Sequence, residues 1–165
     1  MEDDALFAFI IAFLGIIFIF GLIGLVMYIF QAIGLFKIAK REGHGDKAWL
    51  AWIPIANTFL MTILLERAVH EGLRNKLTLV YGIAVAATVV LSGFIPFVAI
   101  APGILFYYVF YFLAKRYSTN PVLHLVIAIV TGGFAVGIQI FIFRNREPVD
   151  TTGLAVAATE EDINL

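Results

Sequence analysis

The sequence contains no cysteine in its 165 residues. This absence excludes disulfide bonds, thiolate catalysis and cysteine-ligated metal or iron–sulfur centres. Histidine is also scarce, with only His44, His70 and His124 at wide separations. No Glu-x-x-His or His-Glu-x-x-His spacing connects them, so we predict neither a metal site nor a bound cofactor.

Charge is the second thing that the chain has little of. Only 14% of the residues are charged and 62% are hydrophobic, whereas soluble domains have about 25% charged and about 45–50% apolar residues. The mean hydropathy is +0.99. The formal net charge of −1 provides no overall positive field to attract nucleic acid. These values predict an all-α, polytopic integral membrane protein whose first partner is the lipid bilayer.

Four apolar runs are long enough to cross a bilayer, which takes about 20 helical residues. We predict a single transmembrane domain over residues 1–148, with spans at about 5–36, 77–95, 97–114 and 122–143. The leader Glu2-Asp3-Asp4 is acidic where a signal peptide would be basic, so the first run is expected to remain as an anchor. The tail 149–165 is small, polar and acidic, and it is predicted to be disordered.

Residues 54–76 are predicted to form an amphipathic helix that lies in the membrane interface. Polar side chains recur there at every fourth position, at Thr58, Thr62, Glu66, His70 and Arg74. The alternative is that residues 49–65 cross the membrane as a fifth span. With the N-terminus outside, four spans place nine of the eleven basic residues in the cytoplasm and five spans place six. The positive-inside rule therefore favours four spans, one interfacial helix and both termini outside.

The segment Trp49-Leu50-Ala51-Trp52-Ile53-Pro54-Ile55-Ala56-Asn57 carries the most specific pattern in the chain. Trp49 and Trp52 are its only tryptophans, and indole rings favour the membrane–water interface. Pro54 is suited to the first position of a helix. Asn57 is expected either to hydrogen-bond backbone groups freed at the proline turn or to contact a lipid headgroup or partner subunit.

Two further groups of residues are candidates for a structural role or for contacts with other molecules. Gly133-x-x-x-Gly137 lies in the last predicted span, where small residues allow another helix to approach closely. The basic group formed by Lys37, Lys40, Arg41 and Lys47 follows the first span. We interpret it as an orientation signal and, alternatively, as a site for anionic lipid.

No catalytic pattern is present in the sequence, so we predict that the protein is not an enzyme. There is no serine nucleophile elbow and no glycine-rich phosphate loop, and no acidic or basic residue lies deep in a predicted span. The function expected is that of an accessory, assembly or regulatory subunit that packs against another membrane protein or against itself. The alternative is a homo-oligomeric transporter or pore for ions, small solutes or lipids, with Gln31, Asn57 and Gln139 as polar groups.

Two segments of the chain carry a resemblance to a known group of proteins. They are Tyr28-Ile29-Phe30-Gln31-Ala32-Ile33-Gly34-Leu35-Phe36-Lys37-Ile38-Ala39-Lys40-Arg41 and Trp49-Leu50-Ala51-Trp52-Ile53-Pro54-Ile55-Ala56-Asn57. The chain resembles small uncharacterised four-span membrane proteins of Gram-positive bacteria over residues 25–148. This resemblance implies a multi-pass protein of the bacterial plasma membrane, and it implies no activity.

Overall fold

The computed structural model describes residues 2–149, apart from the side chains of residues 2–5 and 96. Every regular element in these residues is helical, which confirms the all-α prediction. Short 3-10 helices cover Ala48–Trp52, Glu71–Leu73 and Pro96–Ala99. The six α-helices are α1 (Glu2–Arg41), α2 (Ala56–Leu65), α3 (Leu77–Leu91), α4 (Ile100–Tyr117), α5 (Pro121–Val130) and α6 (Phe134–Phe143).

Two stretches in the described part of the chain are helical, long and apolar enough to cross a membrane. They are Leu6–Arg41 and Phe97–Tyr117. The α1 helix has 40 residues, which corresponds to about 60 Å at 1.5 Å per residue. Only its C-terminal half packs against the rest of the protein, and large side chains from Leu6 to Val26 are exposed. The structure therefore has a helical bundle from which the first half of α1 projects.

The C-terminal half of α1 packs directly against α6, and the two helices run parallel. A Cβ atom on Gly34 would lie 2.8 Å from the carbonyl carbon of Ile140, and one on Gly137 would lie 2.1 Å from the carbonyl oxygen of Met27. Both distances are below any normal contact, so glycine is required at both positions. Of the two roles expected for Gly137, structural or in contact with a partner, the structure shows the structural one, in packing within this chain.

The chain reverses direction between α5 and α6. Gly132 (φ +59°) and Gly133 (φ +91°) adopt left-handed conformations that favour glycine. The reversal brings His124 Nδ1 within 2.6 Å of Gln139 Oε1, whereas a straight helix would separate these residues by about 22 Å. The structure thus corrects the predicted span over 122–143, because two consecutive left-handed glycines turn that apolar run into a helical hairpin.

The α3 and α4 helices form a second hairpin, and α2 lies against both of them. At its turn, the Thr88 hydroxyl donates to the Val98 carbonyl oxygen at 3.3 Å. The observed α3, Leu77–Leu91, begins at the predicted residue 77 and ends four residues before the predicted 95. The observed α4, Ile100–Tyr117, begins and ends three residues later than the predicted 97–114. The segment at 92–99 forms a turn and a 3-10 helix instead, because Pro96 cannot donate a helical hydrogen bond.

The predicted amphipathic helix over 54–76 is not continuous. The α2 helix ends at Leu65, and residues 66–76 form turns and one short 3-10 helix. Thr58 and Thr62, which were expected on the polar face, are buried in the protein. The four-residue polar pattern was misleading because α2 is enclosed by α1, α3, α4 and the first 3-10 helix, so both of its faces are covered.

The C-terminal ends of α1, α4 and α6 lie together at one end of the bundle, which we call the polar end. Glu42, just after α1, forms an ion pair with Arg116 and accepts a hydrogen bond from the Tyr117 hydroxyl. The amide of Val149 donates to the Arg116 carbonyl oxygen at 2.7 Å. Residues 144–149 therefore lie at the end of the bundle opposite the N-terminus of α1, whereas the four-span arrangement was expected to place these two parts of the chain on one side. The predicted disorder of the tail concerns residues 150–165, outside the described residues.

We predict that Gly137→Ala destabilises the protein by about 1–3 kcal/mol, because the new methyl group forces α6 away from the backbone of α1. The matched control is Gly15→Ala, since a Cβ atom at Gly15 meets nothing within 4 Å. That control should be neutral or slightly stabilising, because alanine is the better helix former. Thermal unfolding in detergent measures both variants. Equal stability of the two proteins would contradict the close packing of α1 and α6.

Candidate functional site

The tryptophan-containing segment forms a ledge beside the C-terminal half of α1. Ala48 and Ala51 of its 3-10 helix are fully buried, and the ledge packs against α1 and α2. Trp49 and Trp52 point away from the protein, with 57% and 48% of their surface exposed. The three-residue spacing of a 3-10 helix puts both rings on one side. The ledge thus presents two indole rings to the surroundings.

A strained turn follows the ledge. Ile55 has φ +70° and ψ −50°, and the amide of Ala56 donates to the Pro54 carbonyl oxygen at 2.8 Å. This geometry is a γ-turn of the rare, strained type. A β-branched residue seldom adopts a positive φ, because its side chain then crowds the backbone. The strain is maintained by the packing of the ledge on one side and of α2 on the other.

The side chain of Asn57 was expected either to hydrogen-bond backbone groups freed at the proline turn or to contact a lipid headgroup or partner subunit, and the structure places it inside the protein. The α2 helix begins at Ala56, after Pro54 rather than with it, and its N-terminus has no side-chain cap. Asn57 is 6% exposed, and its side-chain oxygen accepts a hydrogen bond from the Thr58 hydroxyl at 3.2 Å. The backbone amide of Asn57 closes the turn by donating to the Ile53 carbonyl oxygen at 3.0 Å. Its side chain therefore belongs to the protein interior and is not available to a headgroup or partner.

A basic cleft opens at the polar end, between the C-terminal ends of α1 and α6. The Lys37 ammonium donates to Asn145 Oδ1 at 2.8 Å, and Arg41 donates to the Arg144 carbonyl oxygen at 3.4 Å. The cleft has a volume of about 520 Å³ and is lined by Lys37, Lys40, Arg41, Arg144, Asn145 and Glu147.

Three of the four predicted basic residues thus share one site, and Lys47 does not line it. Sequence reasoning missed Arg144, Asn145 and Glu147, because it assigned them to the other side of the membrane. The signal that could have located them is the pair Gly132-Gly133 in the preceding apolar run. A glycine pair there indicates that the chain can reverse and return to its starting side.

A second cavity lies between α1, α4 and the α5–α6 turn. Its volume is about 380 Å³, and Tyr28, Gln31, Phe106, Gly133 and Gly137 are among the residues that line it. The Tyr28 hydroxyl is buried and has no hydrogen-bond partner among the described residues. Of the three polar groups proposed for a transport pathway, Gln31 lines this cavity, whereas Asn57 and Gln139 lie elsewhere.

Gln139 instead pairs with His124 inside the helical hairpin. Gln139 is 5% exposed, and its side-chain oxygen meets the imidazole at 2.6 Å. The ring of His124 also contacts the ring of Phe143, with centroids 5.0 Å apart. The sequence did not reveal this pair, because fifteen residues separate its members and only the reversal at the glycines brings them together.

Among the side chains that the structure describes, which begin at Leu6, no group of three or more histidine and acidic residues is placed to hold a metal ion. Comparisons with protein-family models, with curated protein sequences and with solved structures find no match to this chain. The arguments about function therefore depend on the ledge, the basic cleft, the cavity and the projecting half of α1.

We predict that Ile55→Gly stabilises the protein by about 1 kcal/mol, because glycine adopts a positive φ without a steric penalty. Ile55 is 66% exposed, so little burial is lost. The matched control is Ile53→Gly, at a neighbouring exposed isoleucine with φ −105°. This control should destabilise the protein, since glycine there only adds freedom to the unfolded chain. If thermal unfolding shows equal losses for both variants, the γ-turn is not strained.

Proposed function

We propose that the protein is a multi-pass integral protein of the bacterial plasma membrane. Large apolar side chains are exposed along nearly all the helices, among them Phe18 on α1, Val89 on α3, Ile104 on α4, Val130 on α5 and Ile142 on α6. A soluble protein rarely exposes contiguous apolar surface on this scale. In a membrane these side chains contact lipid, and the charged residues collect at the polar end.

The arrangement proposed has three crossings, formed by α1, α3 and α4, and a hairpin, α5–α6, that enters the membrane and returns. It replaces the four-span arrangement expected from the sequence. The polar end then lies in the cytoplasm. The segment 66–76 lies on the cytoplasmic side too in this arrangement, since it precedes the crossing formed by α3. All eleven basic residues are then cytoplasmic. The positive-inside rule is satisfied without exception.

Single-cysteine labelling tests this topology, and the unmodified chain gives no labelling of its own because it has no cysteine. We expect an impermeant thiol reagent to label Gly93→Cys, in the α3–α4 turn, on intact cells. Gly45→Cys and Val149→Cys should be protected, and both should react once the cells are permeabilised. Labelling of Val149→Cys on intact cells would restore the four-span arrangement, with the C-terminal side outside.

Within this membrane we propose a non-enzymatic role as an accessory, assembly or regulatory subunit. The observation that supports it is the projecting half of α1, whose large side chains from Leu6 to Val26 have no packing partner among the described residues. Ala8, Ala12 and Gly15 line one face of that half, and small residues permit close contact between helices in lipid. A second membrane protein, or a second copy of this chain, would pack there.

Photo-crosslinking tests the proposed role. A photoreactive amino acid at Ala12 should give one discrete protein adduct in native membranes. The same group at Val89, on the exposed surface of α3, should react only with lipid. Mass spectrometry of the adduct distinguishes a second copy of this chain from another protein. If Ala12 and Val89 both give only lipid adducts, α1 is an anchor surrounded by lipid and the subunit role is wrong.

The cavity between α1, α4 and the α5–α6 turn favours a second candidate, a transporter or pore. Transporters often place their sites beside interrupted helices near the middle of the membrane, and the interruption at Gly132-Gly133 borders this cavity. Flux of ions, solutes or labelled lipid in vesicles that contain only this protein would support transport. Such flux, together with the absence of a protein adduct at Ala12, would favour transport over the subunit role.

A further inference from the structure

We propose that the basic cleft between α1 and α6 binds a phosphate group, and that this phosphate belongs to the headgroup of an anionic phospholipid. The site is built from two segments that are more than one hundred residues apart in the sequence, since Lys37 and Asn145 differ by 108 positions. Their approach follows from the parallel packing of α1 on α6. The proposal concerns a ligand of the chain itself and does not depend on the subunit role.

The charges that face the cleft leave an excess of positive charge. Four basic side chains line it, and Glu147 is the one carboxylate among the lining residues. The C-termini of α1 and α6 each add about −0.5 of an elementary charge. Together with Glu147 they offset about half of the four positive charges. About two positive charges remain, and a phosphodiester, which carries one negative charge, neutralises half of them.

Glu42, the carboxylate next to Arg41 in the chain, is already engaged. Glu42 forms its ion pair with Arg116 and its hydrogen bond with Tyr117, and its side chain is 8% exposed. It is therefore not available to neutralise Lys37, Lys40 or Arg41. The cleft therefore retains its excess of positive charge, which attracts an anion.

The position of the cations suits a lipid headgroup. The Lys40 ammonium lies 4.5 Å from the ring centre of Phe36, and the Arg144 guanidinium lies 3.2 Å from that of Phe141. Both rings are at the boundary where the apolar runs of α1 and α6 end. Cations held over these rings would meet phosphates at the membrane surface, and guanidinium and ammonium groups form charge-assisted hydrogen bonds with phosphate oxygens. A volume of about 520 Å³ is within the range of small-molecule sites.

The test uses the full chain in phosphatidylcholine vesicles that contain increasing amounts of a photoactivatable phosphatidylglycerol. The measured quantity is the mole fraction of this lipid at half-maximal labelling. In the cleft variant, Lys37→Gln with Arg144→Gln, we expect this fraction to rise about tenfold. The matched control, Lys47→Gln with Arg67→Gln, removes the same charge from exposed residues outside the cleft and should change the value less than twofold.

Two further variants separate binding from a loss of structure. Lys37→Arg with Arg144→Lys retains both charges and should bind within about threefold of the natural protein. Asn145→Ala removes the hydrogen bond to Lys37 without removing a cation, and it should have a smaller effect than the cleft variant. If the cleft variant and the control lose binding equally, the attraction is diffuse surface electrostatics and the proposal is overturned. If Asn145→Ala alone reproduces the full loss, the cations only hold α1 against α6, which also overturns it.

The same assay distinguishes the source of the phosphate. Inorganic phosphate at millimolar concentration should not displace the photoactivatable lipid from the natural protein. Displacement that requires Lys37 and Arg144 would support the anion site but assign it to soluble phosphate, which overturns the lipid assignment.

Discussion

The close contact between α1 and α6 is the interaction on which the rest of the structure depends. Gly34 and Gly137 allow the two backbones to approach without side chains between them. Dispersion contacts and weak Cα–H hydrogen bonds strengthen at this separation. In lipid there is little hydrophobic force to bring helices together, so close packing of small residues has to supply the association energy. The hairpin, the polar end and the basic cleft all require α6 to lie beside α1.

The hairpin makes this contact possible because it reverses the chain within one apolar run. If residues 122–143 formed one straight helix, residues 144–149 would emerge at the end of the bundle opposite the polar end, away from Lys37 and Glu42. The reversal at Gly132-Gly133 returns them to the polar end, where Arg146 donates to the Tyr117 carbonyl oxygen at 3.5 Å. Two glycines thus decide on which side of the membrane the proposed topology places residues 144–149.

The sequence predicted the features that depend on composition and local pattern. The all-helical class, the long apolar α1 and the exposed tryptophans follow from hydropathy and from the chemistry of individual side chains. Grouping Lys37, Lys40 and Arg41 was also possible, since one helix turn connects them. These features require no knowledge of which helices meet.

Features that depend on contacts between distant helices could not be predicted in this way. The four-residue polar pattern of 58–74 indicated an exposed helix face, yet burial by three other helices places Thr58 and Thr62 inside the protein. The pairing of His124 with Gln139, and of Lys37 with Asn145, depends on a reversal that hydropathy does not detect. Pro54 indicated a turn, but only the folded structure shows that the strained residue is Ile55.

The parallel packing of α1 on α6 also has a consequence for biosynthesis. The groove on α1 that contains Gly34 is complete when residue 41 has been made, but its partner helix ends about one hundred residues later, at Phe143. At about 5–20 residues per second, synthesis of that interval takes about 5–20 s. In the proposed membrane arrangement, lipid or a component of the insertion machinery would cover the groove during this time. Within the described residues, α6 therefore completes the packing of α1. A chain released before residue 134 lacks the partner of the Gly34 groove, although the ledge and α2 still pack against α1.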